Sequence, residues 1–429
     1  MEPTQIAGKM SPPYQMVKKY FIASIAGFVT LTFLIFINAG SIQGFYFQPG
    51  LLGLTHIATL GWITMIIFGA MFQLVPVVFQ VKLFSVKLAE AQFWIFLIGL
   101  TGMVISFFQF DTYLLAVFAS FVSIAMLIFI FNMTASMTKV KEWNITGTYI
   151  AAALVYLFFT VVAGIMMAIN LYHPYFKTNH LEYLKLHAHL AFVGWVSMVI
   201  MGVSYKLIPM FSLSHGFSLK PAKWAFAFIN AGLILLIIEY HLPEKTIMLP
   251  VGALFIAAGN LVFFYQVYLI MKNRVRKNLD VGLTYTMLSF GIMIIVTLLG
   301  LFLVLENLLK PDYFEKLALI YGYLILFGYF SLIIVGQMYK IVPFLVWFHK
   351  FSAKVGLEPV PSLKDMYNEK VARFEFIMMN TAIAGTVAAI AYANKDLMYT
   401  FTGLMFLSSL LFLKNMSSIF LTKGAKNGN

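Results

Sequence analysis

The sequence contains no cysteine, and only 10% of its residues are charged. The absence of cysteine excludes disulfides, thiolate metal sites and iron–sulfur clusters. Arginine is also scarce, because only 3 of the 29 basic residues are arginine. Bidentate arginine contacts with phosphates are therefore nearly excluded. We interpret the net charge of +13 by its distribution among loops and not as a nucleic-acid-binding surface.

Apolar residues dominate the amino-acid composition. They make up 61% of the 429 residues, and the mean hydropathy of +0.89 is far above that of soluble globular domains. This composition excludes a cytoplasmic enzyme, a disordered chain and a nucleic-acid-binding module, and it predicts a lipid bilayer as the surrounding partner. The first apolar run starts near Tyr20 and lacks a small-residue cleavage site, so we expect a retained membrane helix.

Apolar runs of membrane-spanning length predict an all-α polytopic membrane protein. A bilayer core needs roughly 20 apolar residues per helix. By this length criterion the sequence has twelve spans with short connections. The predicted spans lie near residues 20–42, 51–78, 90–108, 113–134, 146–170, 184–212, 222–240, 247–271, 281–305, 317–347, 372–393 and 397–421. We expect one membrane domain over residues 1–429.

The basic residues predict how the chain is oriented. An even number of spans puts both termini on the same side. With the termini in the cytoplasm, 23 of the 29 basic residues fall on the cytoplasmic side, as the positive-inside rule requires. The other six are Lys177, Lys185, Lys245, Lys310, Lys316 and Lys395. We therefore expect a multi-pass protein of the cell inner (cytoplasmic) membrane with both termini cytoplasmic.

The sequence also repeats three times with a period of about 133 residues. The copies begin at His56, His189 and Tyr323, and each continues with a glycine and an aromatic residue five and six positions later. Further aligned positions are Gly69, Gly202 and Gly336, then Pro76, Pro209 and Pro343. The repeat predicts three four-helix units, near 20–134, 146–271 and 281–421, related by a pseudo-threefold axis along the membrane normal.

Histidines at the head of the repeat are the candidate ligands. His56 and His189 occupy matching positions in helices two and six, and a histidine inside an apolar span is costly unless it has a partner. His187 lies two residues before His189, so the two side chains point about 200° apart and cannot both coordinate one ion. They can each serve a different cofactor, and neutral imidazole is a good axial ligand of haem iron. The alternative is that these histidines only join helices by hydrogen bonds.

The stretch His187-Ala188-His189, with Gly194-Trp195, Gly202, Tyr205 and Pro209, resembles the haem-binding helix of the haem–copper oxidase superfamily. It is most similar to the catalytic subunits of C-type oxidases and nitric oxide reductases. That superfamily also has twelve helices in three pseudo-symmetric units, so the resemblance covers nearly the whole chain. It implies a low-spin haem held by His56 and His189, and a second, high-spin haem on His187. We expect haem b, because no cysteine is present for covalent attachment.

The chain departs from that family in the position of the histidine pair. The family has the pair on helix ten, where this chain has Tyr321 and Tyr323. The family's helix six instead carries a copper ligand, followed about 50 residues later by two adjacent histidines. At that spacing this chain has Tyr240-His241. In this second alignment His189 and His241 form a degenerate copper site, and the two alignments compete for His189.

Two further departures concern charge. The arginine pair that holds haem propionates in the family has no counterpart, since all three arginines fall on the predicted cytoplasmic side. We find no carboxylate in the middle of a predicted span, and Lys206 and Lys340 are expected to reach the inner interface. These features disfavour a proton-pumping terminal oxidase.

Three functional hypotheses follow. The first is a haem-binding oxidoreductase-type protein in respiratory electron transfer or oxygen or nitric oxide chemistry, with a cytochrome or other respiratory subunit as partner and a small gas as ligand. The second is a non-catalytic relative that acts as a gas sensor or as a haem or copper handling factor. The third is a transporter or structural subunit without a cofactor. A threefold repeat is unusual for transporters, whose repeats are commonly two halves.

Overall fold

A computed structural model describes residues 10–42, 47–177, 180–242, 246–306 and 314–423. Within these ranges every regular element is helical, and twelve helices are long and apolar enough to cross a membrane. The chain is therefore a multi-pass membrane protein. The helices are α1 Tyr14–Ile37, α2 Pro49–Phe79, α3 Val86–Gln109, α4 Thr112–Met137, α5 Ile145–Tyr172, α6 His180–Ser212, α7 Lys220–His241, α8 Met248–Lys272, α9 Val281–Val304, α10 Phe314–Lys354, α11 Glu369–Ala391 and α12 Lys395–Leu421.

The number and order of the predicted helices are confirmed, but the predicted bounds of the first helix, 20–42, are wrong. Helix α1 begins at Tyr14, directly after two prolines, and ends at Ile37. Near its polar first turns Lys19 forms an ion pair with Glu90 and lies 4.8 Å from the ring centre of Phe93. Four residues used for the predicted orientation, Lys9, Lys245, Lys310 and Lys426, lie outside the described residues.

The chain divides into two compact units. The first comprises the described residues of Met1–Phe21, Phe47–Lys277 and Thr297–Pro311. The second comprises those of Ile22–Tyr46, Asn278–Val296 and Asp312–Asn429. Helices α2 to α8 thus lie in the first unit, and α10 to α12 lie in the second. The single membrane domain over residues 1–429 stays a prediction.

Tight helical hairpins recur at the third and fourth helix of each sequence repeat. Helix α3 packs on α4 and α7 on α8 in the first unit, and α11 packs on α12 in the second. Glycine makes each approach close, because a Cβ at Gly99 would lie 2.8 Å from the Cβ of Phe121 and one at Gly232 would lie 2.7 Å from the carbonyl oxygen of Gly252. These contacts are typical of small-residue packing between membrane helices.

Three π-helical segments interrupt α2, α6 and α10. They cover Ile57–Thr64, Leu190–Ser197 and Leu324–Ser331, each eight residues long. Each segment starts at the residue that follows the head of a repeat, namely His56, His189 or Tyr323. In the third segment Ser331 Oγ donates to the carbonyl of Leu326, five residues earlier, at 2.7 Å. π-helical turns are rare and occur frequently at functional sites.

A tyrosine on the first helix of each repeat packs against the aligned repeat glycine on the second helix. A Cβ at Gly69, Gly202 or Gly336 would lie 2.9, 2.6 or 2.6 Å from the Cβ of Tyr20, Tyr149 or Tyr285, respectively. Each of these tyrosines is buried, so its hydroxyl needs a hydrogen-bond partner. These contacts give the repeat glycines a packing role within each unit.

Candidate functional site

His56 lies on α2 immediately before the first π segment and is half-buried. Its Nδ1 is 2.8 Å from the carbonyl oxygen of Leu52, one turn earlier. A carbonyl can only accept, so Nδ1 carries the proton and Nε2 presents a lone pair. The imidazole stacks on the buried ring of Phe107 with 4.7 Å between ring centres. Both contacts hold the ring in one orientation.

The two histidines of α6 face different neighbouring helices. His187 Nδ1 lies 3.0 Å from the carbonyl oxygen of Thr160 on α5. His189 Nδ1 lies 2.7 Å from the carbonyl oxygen of Lys185, one turn earlier on α6, and its ring centre is 6.1 Å from that of Tyr240 on α7. The expectation that the pair points to different sides of the helix is thus confirmed. Both imidazoles are the Nδ1–H tautomer for the reason given for His56.

His187 also lies within electrostatic reach of His56 on α2. Gly164 on α5 provides the room for its ring, because a Cβ there would lie 3.0 Å from Cε1 of His187 and 3.5 Å from its Nδ1. Helices α2, α5 and α6 therefore bring His56 and His187 into one region of the first unit. Helix α5 contributes the carbonyl oxygen of Thr160. This oxygen has two lone pairs, so it can accept the hydrogen bond of its own helix and a second one from a side chain.

The donor set suits a haem better than a bare metal ion. In the part of the chain that the structure describes, no group of three or more His, Asp or Glu side chains could hold a metal ion. A bare ion needs such a group, whereas a haem brings four equatorial nitrogens and needs only one or two axial imidazoles. Each half-buried histidine donates Nδ1–H to a carbonyl and keeps an Nε2 lone pair. This is how ligating histidines are held in metalloproteins.

His241, the other predicted copper ligand, is exposed at the end of α7. Its Nδ1 is 2.7 Å from the carbonyl oxygen of Ile237, and its ring lies edge-on to Tyr183 with 6.4 Å between centres. The aromatic ring that lies against His189 is that of Tyr240. The degenerate copper site of His189 and His241 stays a prediction.

The tyrosines that replace histidines in the third repeat lie in the second unit. Tyr323 directly precedes the π segment of α10 and stacks on Phe327 with 4.8 Å between ring centres. Tyr321 is half-buried on the same helix. In this copy of the repeat a phenol therefore occupies the position that an imidazole occupies in the other two.

A buried carboxyl group in the second unit was missed by the sequence analysis. Glu375 on α11 is only 1% exposed. Its Oε1 accepts from the hydroxyl of Tyr285 at 2.9 Å, and its Oε2 accepts from the hydroxyl of Tyr339. The available signal was a glutamate inside the predicted span 372–393, but its position near the helix end, close to Lys370 and Arg373, resembled that of an interfacial side chain.

Lys340, which we expected to reach the membrane interface, forms an ion pair with Asp280 just before α9. Its side chain is 12% exposed, so a carboxylate and not the lipid headgroup region satisfies the charge. Lys206, its counterpart in the second repeat, is exposed on α6.

No protein-family model matches this chain, and no curated protein matches its sequence. The similarity to haem–copper oxidases therefore stays a prediction that rests on the residues of α2 and α6.

Proposed function

We propose that this chain is a haem-binding membrane protein of the haem–copper oxidase subunit I type, which acts in respiratory electron transfer or in oxygen or nitric oxide chemistry. The observation that carries the proposal is the common state of His56, His187 and His189. Each donates Nδ1–H to a backbone carbonyl and keeps an Nε2 lone pair inside an apolar helix. Two of the three directly precede π-helical segments, which supports a ligand role.

The resemblance implies that His56 and His189 hold a low-spin haem b and that His187 holds a second, high-spin haem. Bound haem supplies one-electron transfer and, where one axial position is open, gas binding. The carbonyls of Leu52, Thr160 and Lys185 fix the tautomers, so each ring is already oriented before a cofactor binds. Phe107 and Tyr240 limit how far the rings of His56 and His189 can rotate.

We further propose that the helices form three four-helix units. We also propose that the protein lies in the cell inner membrane with both termini in the cytoplasm. The support is local and recurs in register with the sequence repeat. The π segments, the tyrosine–glycine contacts and the third–fourth helix hairpins all occur once in each copy. The distribution of basic residues supports the orientation.

One observation favours the second hypothesis, a non-catalytic haem or copper handling factor or gas sensor. Each arginine already has a local partner: Arg274 donates to the carbonyl of Met271, Arg276 to that of Phe211, and Arg373 to the carboxylate of Glu369. All three also lie on the predicted cytoplasmic side, whereas the family's propionate-binding arginines lie near the outer surface. A relative that handles or senses a ligand does not need the tightly held cofactor of an oxidase.

An absorption spectrum of the purified full-length protein, oxidised and dithionite-reduced, tests the proposal, with iron and copper analysis alongside. A sharp reduced α band that disappears in His56→Ala and His189→Ala supports the low-spin site. A carbon-monoxide shift that depends on His187 supports an open site. His215→Ala, in the loop after α6, is the matched control and should change nothing. His187 lies near His56. If the α band is lost in His187→Ala and kept in His189→Ala, the ligand pair of the low-spin haem is His56 and His187 and not His56 and His189.

Metal content separates the remaining hypotheses. Copper that depends on His189 and His241 would favour the second alignment, and turnover of a gas by reduced protein would favour an enzyme over a sensor. A colourless protein without iron or copper would contradict the cofactor proposal and leave the third hypothesis, a transporter or structural subunit.

A further inference from the structure

The strongest feature outside the histidine site is the Glu375 cluster, which we define as Glu375, Tyr285, Tyr339 and Asn415. These side chains come from α11, α9, α10 and α12 of the second unit. Glu375 accepts from both tyrosine hydroxyls, and Asn415 Nδ2 donates to the hydroxyl oxygen of Tyr339 at 3.0 Å. Among the described residues no lysine, arginine or histidine forms an ion pair with Glu375. A buried carboxylate without a cation is costly in an apolar helix, whereas its protonated form is not.

Comparison with the other two repeats argues against a purely structural role for this carboxyl group. The hydroxyls of Tyr20 and Tyr149, the counterparts of Tyr285, lie 2.6 and 2.9 Å from the backbone carbonyl oxygens of Ala89 and Ala222. The hydroxyl of Tyr20 also forms a hydrogen bond with the side-chain amide of Gln92. Three residues after those alanines stand Gln92 and Ala225, in the register where the third copy has Glu375. The same helices therefore pack with a neutral glutamine or a bare methyl group at this position.

One side of the cluster is in ring contact with the segment between α10 and α11, which is outside the spans. The ring of Tyr339 lies 5.0 Å from that of Tyr367, which is in that segment. Burial raises the pKa of Tyr367 to about 12, and the negative charges of Asp280 and Glu369 act in the same direction. The charged groups on this side of the cluster are the Asp280–Lys340 and Glu369–Arg373 ion pairs. The cluster therefore lies next to a segment that is outside the spans.

We propose that Glu375 is a proton-binding site within the membrane, which exchanges its proton with water on the side of the cluster where the α10–α11 segment lies. The ligand is a single proton: the carboxylate gains one O–H bond, water at the segment loses one proton, and no electrons move. Tyr285 and Tyr339 stabilise the carboxylate by donating to it. They allow the group to release its proton without leaving a bare charge in an apolar environment.

Infrared difference spectroscopy of the full-length protein in lipid nanodiscs, titrated from about pH 5 to about pH 9, tests this proposal. We expect one carboxylic-acid carbonyl band that disappears as pH rises. Glu375→Gln keeps the size and hydrogen-bonding capacity of the side chain and should lack the band. Glu369→Gln, on the exposed first turn of the same helix, is the matched control and should keep it.

Tyr339→Phe gives a second readout that a merely structural carboxyl group would not show. It removes one donor to the carboxylate, so the band should persist to a pH higher by about one unit. The proposal is overturned if the wild-type protein shows no titrating carboxylic-acid band, or if the band survives in Glu375→Gln. A band that responds to sodium concentration at fixed pH would also overturn it, in favour of a metal-cation site. Because the carbonyl band is measured whether or not haem is bound, its failure is distinct from failure of the haem proposal.

Discussion

At the residue scale, the candidate site depends on backbone carbonyls as much as on histidines. A carbonyl of the preceding turn holds His56 and His189, whereas a carbonyl of a different helix, α5, holds His187. The position of His187 therefore depends on packing between α5 and α6. Gly164 is the point where that packing is closest to the imidazole, since a Cβ there would come within 3.0 Å of the ring.

We expect Gly164→Ala to destabilise the protein by about 1–3 kcal/mol, the usual range for overpacking a tight contact. The added methyl group displaces the His187 ring and strains its hydrogen bond to Thr160. Gly291→Ala on α9 is the control, because a Cβ there meets no atom within 4 Å, and it should be neutral or stabilising by up to about 1 kcal/mol. Unfolding in a denaturing detergent compares the two variants. Equal stability for both would show that the site tolerates the methyl group.

Sequence patterns single out the candidate histidines but not the residues that surround them. The repeat singled out His56 and His189, and the His187-Ala188-His189 spacing added His187. Thr160 and Gly164 carry no such signal, because an ordinary threonine and glycine in an apolar helix acquire a role only when α6 packs against them. Glu375 was overlooked for a similar reason, since its two tyrosine partners are 90 and 36 residues away in sequence.

At the scale of the helices, hydropathy predicted all twelve spans but not their internal geometry. Apolar residues satisfy α- and π-helical turns equally well, so the pattern does not distinguish them. The π segments are visible only in the backbone hydrogen bonds, where they recur after each repeat head. The early start of α1 was missed because its first turns are polar, and the contacts of Lys19 there are with Glu90 and Phe93 of α3.

In two helical hairpins, an asparagine side chain of one helix forms hydrogen bonds with the backbone at the start of the other helix. Asn132 on α4 is fully buried; it accepts from the N–H of Ser85 at 3.0 Å and donates to the carbonyl of Ser85 at 2.8 Å. Asn415 on α12 makes the same two bonds to Asn368, both at 3.3 Å. In each hairpin one side chain satisfies the two backbone groups of the residue that precedes the partner helix.

Asn132→Leu, at similar side-chain volume, should therefore destabilise the protein by about 1–3 kcal/mol. It leaves the N–H of Ser85 without its partner and removes one of two hydrogen bonds to the carbonyl of Ser85, which also accepts from the N–H of Ala89. The control is Ser120→Ala on the same helix. Among the described residues Ser120 Oγ bonds only to the carbonyl of Ala116 in its own helix, at 2.8 Å, so its loss should change the free energy of unfolding by no more than about 0.5 kcal/mol. If both variants have the same free energy of unfolding, the hydrogen bonds of Asn132 add nothing to the pairing of α3 and α4.

At the scale of the whole molecule, the sequence repeat and the local contacts agree although the chemistry of the copies differs. Histidine heads the first two copies and tyrosine the third, while Gln92, Ala225 and Glu375 share a register. Packing positions such as the repeat glycines stay constant, whereas the polar positions vary. The pattern indicates one scaffold whose copies carry different side-chain chemistry: half-buried imidazoles in the first unit and a buried carboxyl group in the second.

The proposed orientation can be tested directly because the chain has no cysteine. Single cysteines at Lys177 and Lys395, both exposed, should react with a membrane-impermeant maleimide on intact cells. Single cysteines at Lys141 and Lys277, also exposed, should react only after the membrane is opened, because the positive-inside rule places them in the cytoplasm. The unmodified chain is the blank, since it offers no thiol. The reverse labelling pattern would invert the topology, whereas labelling of one residue from each pair would show that a helix does not span the membrane.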